Sequence, residues 1–313
     1  MNGGIKMNFQ RRNILAIGDF TKEELLKVVE TAAKIDNDRQ KYCDTLKGKI
    51  LATLFFEPST RTRMSFQAAM QRMGGSVIGF SDVSMTSMKK GESLPDTIKI
   101  ISGYCDAIVM RHPETGSVAK AAENATVPVI NAGDGPNEHP TQTMLDMYTI
   151  MKEKGTLEGL KVGFVGDLKY GRTVHSLARA LSHFNPEFYF VSPPSLKMPE
   201  QYLKELDKKK VKYTEEQELL KVSKKFDILY MTRVQKERFS NLQDYDKVKG
   251  IYKLDKTIAQ HIRKDTKILH PLPRIDEINP ELDKLEQSVY FKQAHNGIPV
   301  RMALLGMIMG ELK

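Results

Sequence analysis

Several protein classes are excluded by what this chain has little of. Tryptophan is absent and there are only two cysteines, Cys43 and Cys105, too few for the disulfide framework that staples small secreted domains. No apolar run approaches the ~18 residues that a membrane-spanning helix requires. Residues 1–13 are polar where a signal peptide would carry an apolar core. Internal repeats and low-complexity tracts are also missing. These absences predict a soluble protein of a reducing cytoplasm, with no membrane partner.

What is present suggests two domains, because 313 residues exceed the length at which one hydrophobic core usually stops growing. Lysine and arginine outnumber aspartate and glutamate by 48 to 39, a net charge of +9 that favours anionic partners. Those could be nucleic acid, a membrane surface or small phosphorylated and carboxylated metabolites. The lysine runs Lys208–Lys210 and Lys224–Lys225 lie in polar, helix-like surroundings and read as solvated faces. Nucleic-acid binding would call for basic side chains along one continuous face with interleaved aromatics. Here the distinctive arginines instead stand singly at the ends of apolar runs, so no nucleic-acid partner is expected.

Apolar, β-rich runs alternate with helix-period segments. Strands are predicted over Ile50–Phe56, Val77–Phe80, Ala107–Met110, Val127–Ile130, Val162–Val165, Phe188–Val191, Ile228–Met231 and Ile268–Leu269. Such alternation predicts an α/β fold of two domains, each a mainly parallel sheet flanked by helices, with helices linking the domains. Between the runs, Leu25, Val28, Val29 and Ala32 form one apolar helix face, as do Met144, Met147, Tyr148 and Met151, and Val174, Leu177, Ala178 and Leu181. Those methionines read as core. Thr21 with Glu24 has the capping-box pattern that satisfies orphan amides at a helix start. Four strands precede the helix near Thr141 and about four follow the Gly155–Gly159 segment, which places the boundary near residue 150.

Polar motifs follow the strands. The segment Ser59-Thr60-Arg61-Thr62-Arg63 lies where a buried strand turns into a helix. Backbone amides, hydroxyls and a guanidinium would converge there with the positive end of the helix dipole, as a phosphate dianion requires. An N-capped helix with surface arginines would look the same. It is not a Walker A loop, since no Gly-Lys-Ser/Thr follows a glycine-rich turn. Ser87-Met-Lys-Lys90-Gly reads by itself as an exposed basic loop. Arg111-His-Pro113 and the run from Asn131 to His139-Pro-Thr-Gln142 end further strands, which topology would make neighbours of Arg61. In the second half, Gly166-Asp-Leu-Lys-Tyr-Gly-Arg172 sets another arginine at a helix start. Its glycines do not match Gly-x-Gly-x-x-Gly, so a nicotinamide cofactor is not expected. Thr232-Arg233-Val-Gln235 and His270-Pro271-Leu272-Pro273-Arg274 end two later strands. No His, Cys and carboxylate spacing suggests a metal.

Taken in order, the six motifs Ser59–Arg63, Arg111–Pro113, His139–Gln142, Gly166–Thr173, Thr232–Arg238 and His270–Arg274 resemble the aspartate/ornithine carbamoyltransferase family over about residues 8–310. His270-Pro-Leu-Pro273 stands where the ornithine-specific branch usually shows His-Cys-Leu-Pro, so the resemblance is to the aspartate branch. It implies transfer of the carbamoyl group of carbamoyl phosphate to L-aspartate, an early step of de novo pyrimidine biosynthesis, without a cofactor. Residues 1–150 would form a carbamoyl-phosphate-binding domain and 151–313 an aspartate-binding domain, with a last helix over about 298–312 packing back on the first.

Residue by residue, the resemblance implies a phosphate cradle of Ser59, Thr60, Arg61, Thr62 and Arg111, with Thr62, Arg111 and His139 at the carbamoyl oxygen and Gln142 at its amide. Arg172, Arg233, Gln235 and Lys90 would meet the aspartate carboxylates, helped by backbone around Pro271 and Leu272. Leu272–Pro273 is a candidate cis peptide. Ser87 and Lys90 would come from a neighbouring subunit of a homotrimer with shared active sites, which would leave a monomer inactive. Their loop is one residue shorter than in some members. A separate regulatory chain is a partner on which one sequence is silent.

Overall fold

The computed structural model describes residues 8–236, 239 and 241–313. Its described chain divides into two compact units, Met1–Tyr148 with Asn296–Lys313, and Thr149–His295.

In the first unit four parallel strands, β1 (Ile50–Phe55), β2 (Ser76–Phe80), β3 (Ala107–His112) and β4 (Val129–Asp134), lie in the order β2-β1-β3-β4. Helices α1 (Lys22–Asn37), α2 (Thr60–Arg72), α3 (Leu94–Ser102) and α4 (Ser117–Asn124) surround them. Two longer helices, α5 (Pro140–Lys154) and α11 (Tyr290–Ile308), carry the chain out of this unit and back into it. The central strands are buried on both faces, as parallel sheets require. Ala52, Leu54, Ile108, Met110 and Val129 form one core with Ile98, Val118 and Ala121 of the covering helices. Truncating Leu54, which is fully buried, to alanine would cost ~2–5 kcal/mol in lost contacts and cavity. The capping box of α1 forms: the Thr21 hydroxyl accepts from the Glu24 amide at 3.3 Å and Glu24 accepts from the Thr21 amide at 3.0 Å. Its apolar face, Leu25, Val28, Val29 and Ala32, is buried.

In the second unit five parallel strands, β5 (Lys161–Val165), β6 (Glu187–Val191), β7 (Lys212–Glu216), β8 (Ile228–Met231) and β9 (Lys267–Leu269), run in the order β7-β6-β5-β8-β9. Around them lie α6 (Arg172–Leu181), α7 (Glu200–Lys208), α8 (Leu219–Val222), α9 (Leu242–Val248) and α10 (Lys256–His261). Aromatic rings fill one face: Phe164 lies with its centroid 5.5 Å from Phe188 and 5.8 Å from both Phe190 and Tyr230. Gly163 is required opposite Phe226, whose ring occupies the space a Cβ would need.

Two expectations are corrected here. Strand β7, Lys-Tyr-Thr-Glu-Glu, was absent from the predicted set, because an edge strand with no buried residue carries no apolar signal. β4 also runs on through Asn131 and Asp134, past the predicted strand end at Ile130. Those polar residues tolerate burial because Asn131 Nδ2 donates to Asp134 Oδ1 at 3.0 Å, so each satisfies the other.

Each sheet has one topological switch point. In the first, the chain leaves β1 towards β2 on one side and returns to β3 on the other. In the second, β5 leads outward to β6 and the chain later returns beside it as β8. Ligands of open α/β sheets gather at the carboxyl ends of such strand pairs.

Candidate active site

At the β1/β3 switch point, Phe55 pairs in register with Arg111 and the Phe56 amide donates to the Arg111 carbonyl at 2.9 Å. This brings the end of β3 against the turn that leads into α2. There Glu57 Oε1 accepts from Arg111 Nε at 2.6 Å, a partly buried ion pair. Two residues on, Ser59 is the N-cap of α2, yet its side chain makes no capping hydrogen bond. The first amides of α2 therefore lack the usual side-chain cap, and their partial positive charge faces outward with Thr60 and Arg61 exposed around it. Thr62 is buried in the same turn. Arg63, in the same basic motif, turns away and donates to Ser81 Oγ at 2.9 Å.

The carboxylate of Asp134, at the end of β4, folds the next loop. It accepts from Asn131 Nδ2 at 3.0 Å, Asn137 Nδ2 at 3.0 Å, the Glu138 amide at 3.1 Å and the Gly116 amide at 3.2 Å. Gly135 holds φ +57, and a Cβ there would press on the Pro113 carbonyl. The loop thus delivers His139, buried, to the start of α5. Gln142, one turn into that helix, donates its Nε2 to Asp146 Oδ1 at 2.8 Å. Next to Arg111, His112 Nδ1 accepts from the Glu114 amide at 3.0 Å, and burial holds its pKa below the ordinary histidine value.

At the β5/β8 switch point of the second unit, the organiser is Asp167, fully buried. Its Oδ1 accepts from the Tyr170 amide at 2.9 Å, its Oδ2 from the Gln235 amide at 3.4 Å, and its own amide donates to Thr232 Oγ1 at 3.0 Å. Burial pushes its pKa up, against the opposing pull of these N–H groups and of Arg233. Gln235 Nε2 donates to the Tyr170 carbonyl at 3.0 Å, a second tie between the two strand ends. Arg172 opens α6 directly after this turn. Arg233, partly buried, lines a cleft together with Gly166, Thr232, Tyr245, Lys249 and Glu277. In the motif containing Arg233, Glu237 and Arg238 lie outside the described residues.

The end of β9 is set by His270. Its Nδ1 accepts from the Leu272 amide at 2.8 Å, so its Nε2 carries the proton and donates to Glu277 Oε1 at 2.7 Å. Burial keeps this imidazole below the usual histidine pKa despite the neighbouring carboxylate. Glu277 Oε2 in turn accepts from the amides of Ile275 and Asp276, both at 3.1 Å. The turn so fixed carries Pro271, Leu272 at φ 56 and a cis Leu272–Pro273 bond.

Of the residues singled out in the sequence, Ser59, Thr60, Arg61, Thr62 and Arg111 gather at one switch point, with His139 and Gln142 at the end of the strand beside β3. Arg172, Arg233 and Gln235 gather at the other. Ser87 and Lys90 stand exposed on a 3-10 turn beyond β2. The sequence reading passed over Glu57, Asp146, Asp167 and Glu277, the carboxylates that hold these cations and amides in place. Asp167 was the most findable, since an Asp directly after a strand-terminal glycine is a natural turn organiser. Among the described residues no group of three or more His, Cys, Asp or Glu is gathered as a metal site would need.

Comparison with known proteins covers nearly the whole chain. Residues 12–152 match the aspartate/ornithine carbamoyltransferase carbamoyl-P binding domain, and residues 158–308 match the Asp/Orn binding domain of the same family. The chain is 52% identical over 308 residues to the aspartate carbamoyltransferase catalytic subunit of Thermococcus kodakarensis, an alignment covering 98% of this chain and 99% of that one. It is similar, with TM-score 0.88 and 51% identity over 94% of this chain and 97% of the other, to the catalytic subunit of M. jannaschii aspartate transcarbamoylase. A Trypanosoma cruzi aspartate transcarbamoylase solved with carbamoyl phosphate and aspartate matches at TM-score 0.90 and 35% identity, over 96% of each chain.

Proposed function

This chain belongs to the aspartate/ornithine carbamoyltransferase family, and from that premise we propose how its own residues carry the reaction. The protein is a carbamoyl-group transferase: it moves the carbamoyl group of carbamoyl phosphate to the amine of L-aspartate, giving N-carbamoyl-L-aspartate and phosphate, a step of pyrimidine biosynthesis. The observation that carries the assignment of roles is the α2 start, whose cap side chain is unused and which lies beside the Glu57-oriented Arg111.

In this reading the first unit holds carbamoyl phosphate. Ser59, Thr60, Arg61 and Thr62 supply amides and hydroxyls to the phosphate, and the guanidinium groups of Arg61 and Arg111 balance its charge. Thr62, Arg111 and His139 donate to the carbamoyl oxygen, and Gln142 meets the carbamoyl amide. Arg172, Arg233, Gln235 and the backbone at Pro271 and Leu272 receive aspartate, whose two carboxylates need several cations. The neutral amine attacks the carbamoyl carbon, so that an N–C bond forms as the C–O bond to phosphate breaks. The departing phosphate can accept the proton that the amine sheds. Negative charge grows on the carbamoyl oxygen and on the leaving group, where donors already wait, so preorganised electrostatics is the main device.

Ser87 and Lys90, on their exposed turn, act in a neighbouring subunit, so the working form is a homotrimer with shared sites. The setting is cytoplasmic; no helix among the described residues is long and apolar enough to cross a membrane.

The test is carbamoyl-aspartate formation by the purified chain given carbamoyl phosphate with aspartate, and with ornithine as control acceptor. Activity with aspartate alone is expected, and activity with ornithine instead would overturn the acceptor assignment. For the shared site, Arg61→Ala and Lys90→Ala chains, each inactive, should regain activity when dissociated and reassembled together. Failure of the mixture, with trimers formed, would confine each site to one chain.

A further inference from the structure

The motif Arg111-His-Pro113 lends its arginine to the mechanism, while its histidine has no part there. His112, partly buried at the carboxyl end of β3, is held on three sides. Its Nδ1 accepts from the Glu114 amide at 3.0 Å, so the neutral ring carries its proton on Nε2. Burial keeps that ring neutral at pH 7, against the pull of the Glu114 and Glu57 carboxylates. Its carbonyl accepts from the Gly135 amide at 2.9 Å, in the loop that leads to His139. Its ring lies against Phe56, centroids 4.8 Å apart, and Phe56 in turn meets Phe80 edge-on at 5.2 Å. Phe80, Phe56 and His112 thus form an aromatic row across the carboxyl ends of β2, β1 and β3, which are neighbours in the sheet.

The row lies where the ladder is irregular. On the β1 side Phe55 pairs in register with Arg111, but on the other side the β3–β4 register slips between Met110 and His112, a step of two on β3 against three on β4. Such a bulge bends the strands and loosens their pairing. Arg111 stands at the slip, so backbone pairing by itself does not fix the direction of its side chain. Glu57 Oε1 does, at 2.6 Å from Arg111 Nε, and Glu57 follows Phe56 directly. Two consecutive side chains at the end of β3 therefore grip two consecutive residues just beyond β1.

We infer that His112 is a positioning residue for Arg111: its ring, pinned by the Glu114 amide and packed in a row with Phe56 and Phe80, holds the turn beyond β1 so that Glu57 stays in reach of the guanidinium. An imidazole suits this place better than a phenyl ring because Nδ1 anchors it, whereas a phenyl ring is held by packing alone. Without the ring the turn is free to shift away from β3, and Arg111 samples rotamers in which its charge no longer faces the phosphate. His112 touches no reacting group in this scheme and acts through Phe56 and Glu57. The inference rests on the reading of Arg111 as a phosphate ligand.

The experiment uses the full chain and compares kcat/KM for carbamoyl phosphate with KM for aspartate, folding being checked by thermal melting. His112→Ala should lower the first roughly tenfold, the scale of one oriented charge-assisted hydrogen bond, and leave the second within about twofold. His112→Phe, which keeps a ring on Phe56, should recover most of the loss. His112→Asn, which keeps an acceptor for the Glu114 amide but no ring, should recover little, and it replaces His112→Ala if that variant fails to fold. In a Glu57→Ala background the same truncation should have almost no further effect, because the pair it serves is already gone. Wild-type kinetics in His112→Ala, or full additivity with Glu57→Ala, would overturn the inference. An equal rise in KM for aspartate would also overturn it, in favour of general loosening. Arg111→Ala separates the two readings. If it is impaired towards carbamoyl phosphate while His112→Ala is not, only the positioning role fails; if it too is unimpaired, the role of Arg111 fails.

Discussion

Arg111 Nε and Glu57 Oε1 lie 2.6 Å apart, and the pair joins the ends of β3 and β1 across the switch point of the first sheet. One edge of the guanidinium is committed to the protein, which aims its other end. Removing the carboxylate in Glu57→Ala should free Arg111 to sample several rotamers and lower kcat/KM for carbamoyl phosphate roughly tenfold, the scale of one oriented charge-assisted hydrogen bond. Glu57→Gln, which still offers an acceptor oxygen, should recover part of the loss. Steady-state kinetics with a check that the variant is folded decides it, and wild-type kinetics in Glu57→Ala would remove the orienting role.

Arg61 stands exposed on the first turn of α2 and carries a large part of the proposed mechanism. Arg61→Ala should therefore reduce turnover by ~10²–10³ with little change in thermal stability. Near-normal turnover in a folded assembly would refute its assigned role.

Gly166 marks a point where only glycine fits. Its φ of +116 is disfavoured for other residues, and a Cβ would overlap the Thr232 carbonyl, a backbone atom that cannot swing aside. Gly166→Ala should destabilise the protein by ~1–3 kcal/mol. By displacing Thr232 and with it Arg233, it should raise KM for aspartate more than the Kd for carbamoyl phosphate. Differential scanning calorimetry and a comparison of the two constants check both halves; equal effects on both ligands would point to general loosening.

His175 gives a pH dependence of stability. It is buried on α6, its Nε2 donates to the Leu168 carbonyl at 2.7 Å, its ring stacks on Tyr202 at 4.1 Å, and burial lowers its pKa to about 4. Between about 6.5 and 4 the unfolded chain binds a proton that the folded chain does not, so stability rises with pH through that window and is lost as pH falls through it. The loss should approach ~3 kcal/mol at the acid end. His175→Gln, which keeps an N–H for Leu168 and cannot titrate, should flatten the dependence in denaturant titrations run across this range. An equally steep curve in the variant would assign the effect to other groups. His270 shifts the same way and would leave a residual slope.

Much of the architecture was legible in the chain because its signals are local. A parallel strand buried on both faces must be an apolar run, and an amphipathic helix must repeat its apolar face every turn, so β1, β3, β5 and β8 and the faces of α1 and α6 could be read directly. The exposed edge strand β7 escaped for the same reason. The cations of the site were visible as well, since they stand in polar segments just after those runs.

What only the tertiary structure decided is which carboxylate holds which cation. Glu57 finds Arg111, 54 residues away, because parallel pairing sets β3 beside β1; Asp167 finds Gln235, 68 residues away, because β8 returns beside β5. Leu145 of α5 meets Gly297 of α11 only after α11 has carried the chain back to the first unit. The sequence by itself determined the elements, their parallel class and the chemistry concentrated at their ends, since backbone propensity and burial act over a few neighbouring residues. Partnership between distant side chains depends on strand order and helix return, which no local pattern encodes, and that is where the orientation of the site's side chains was decided.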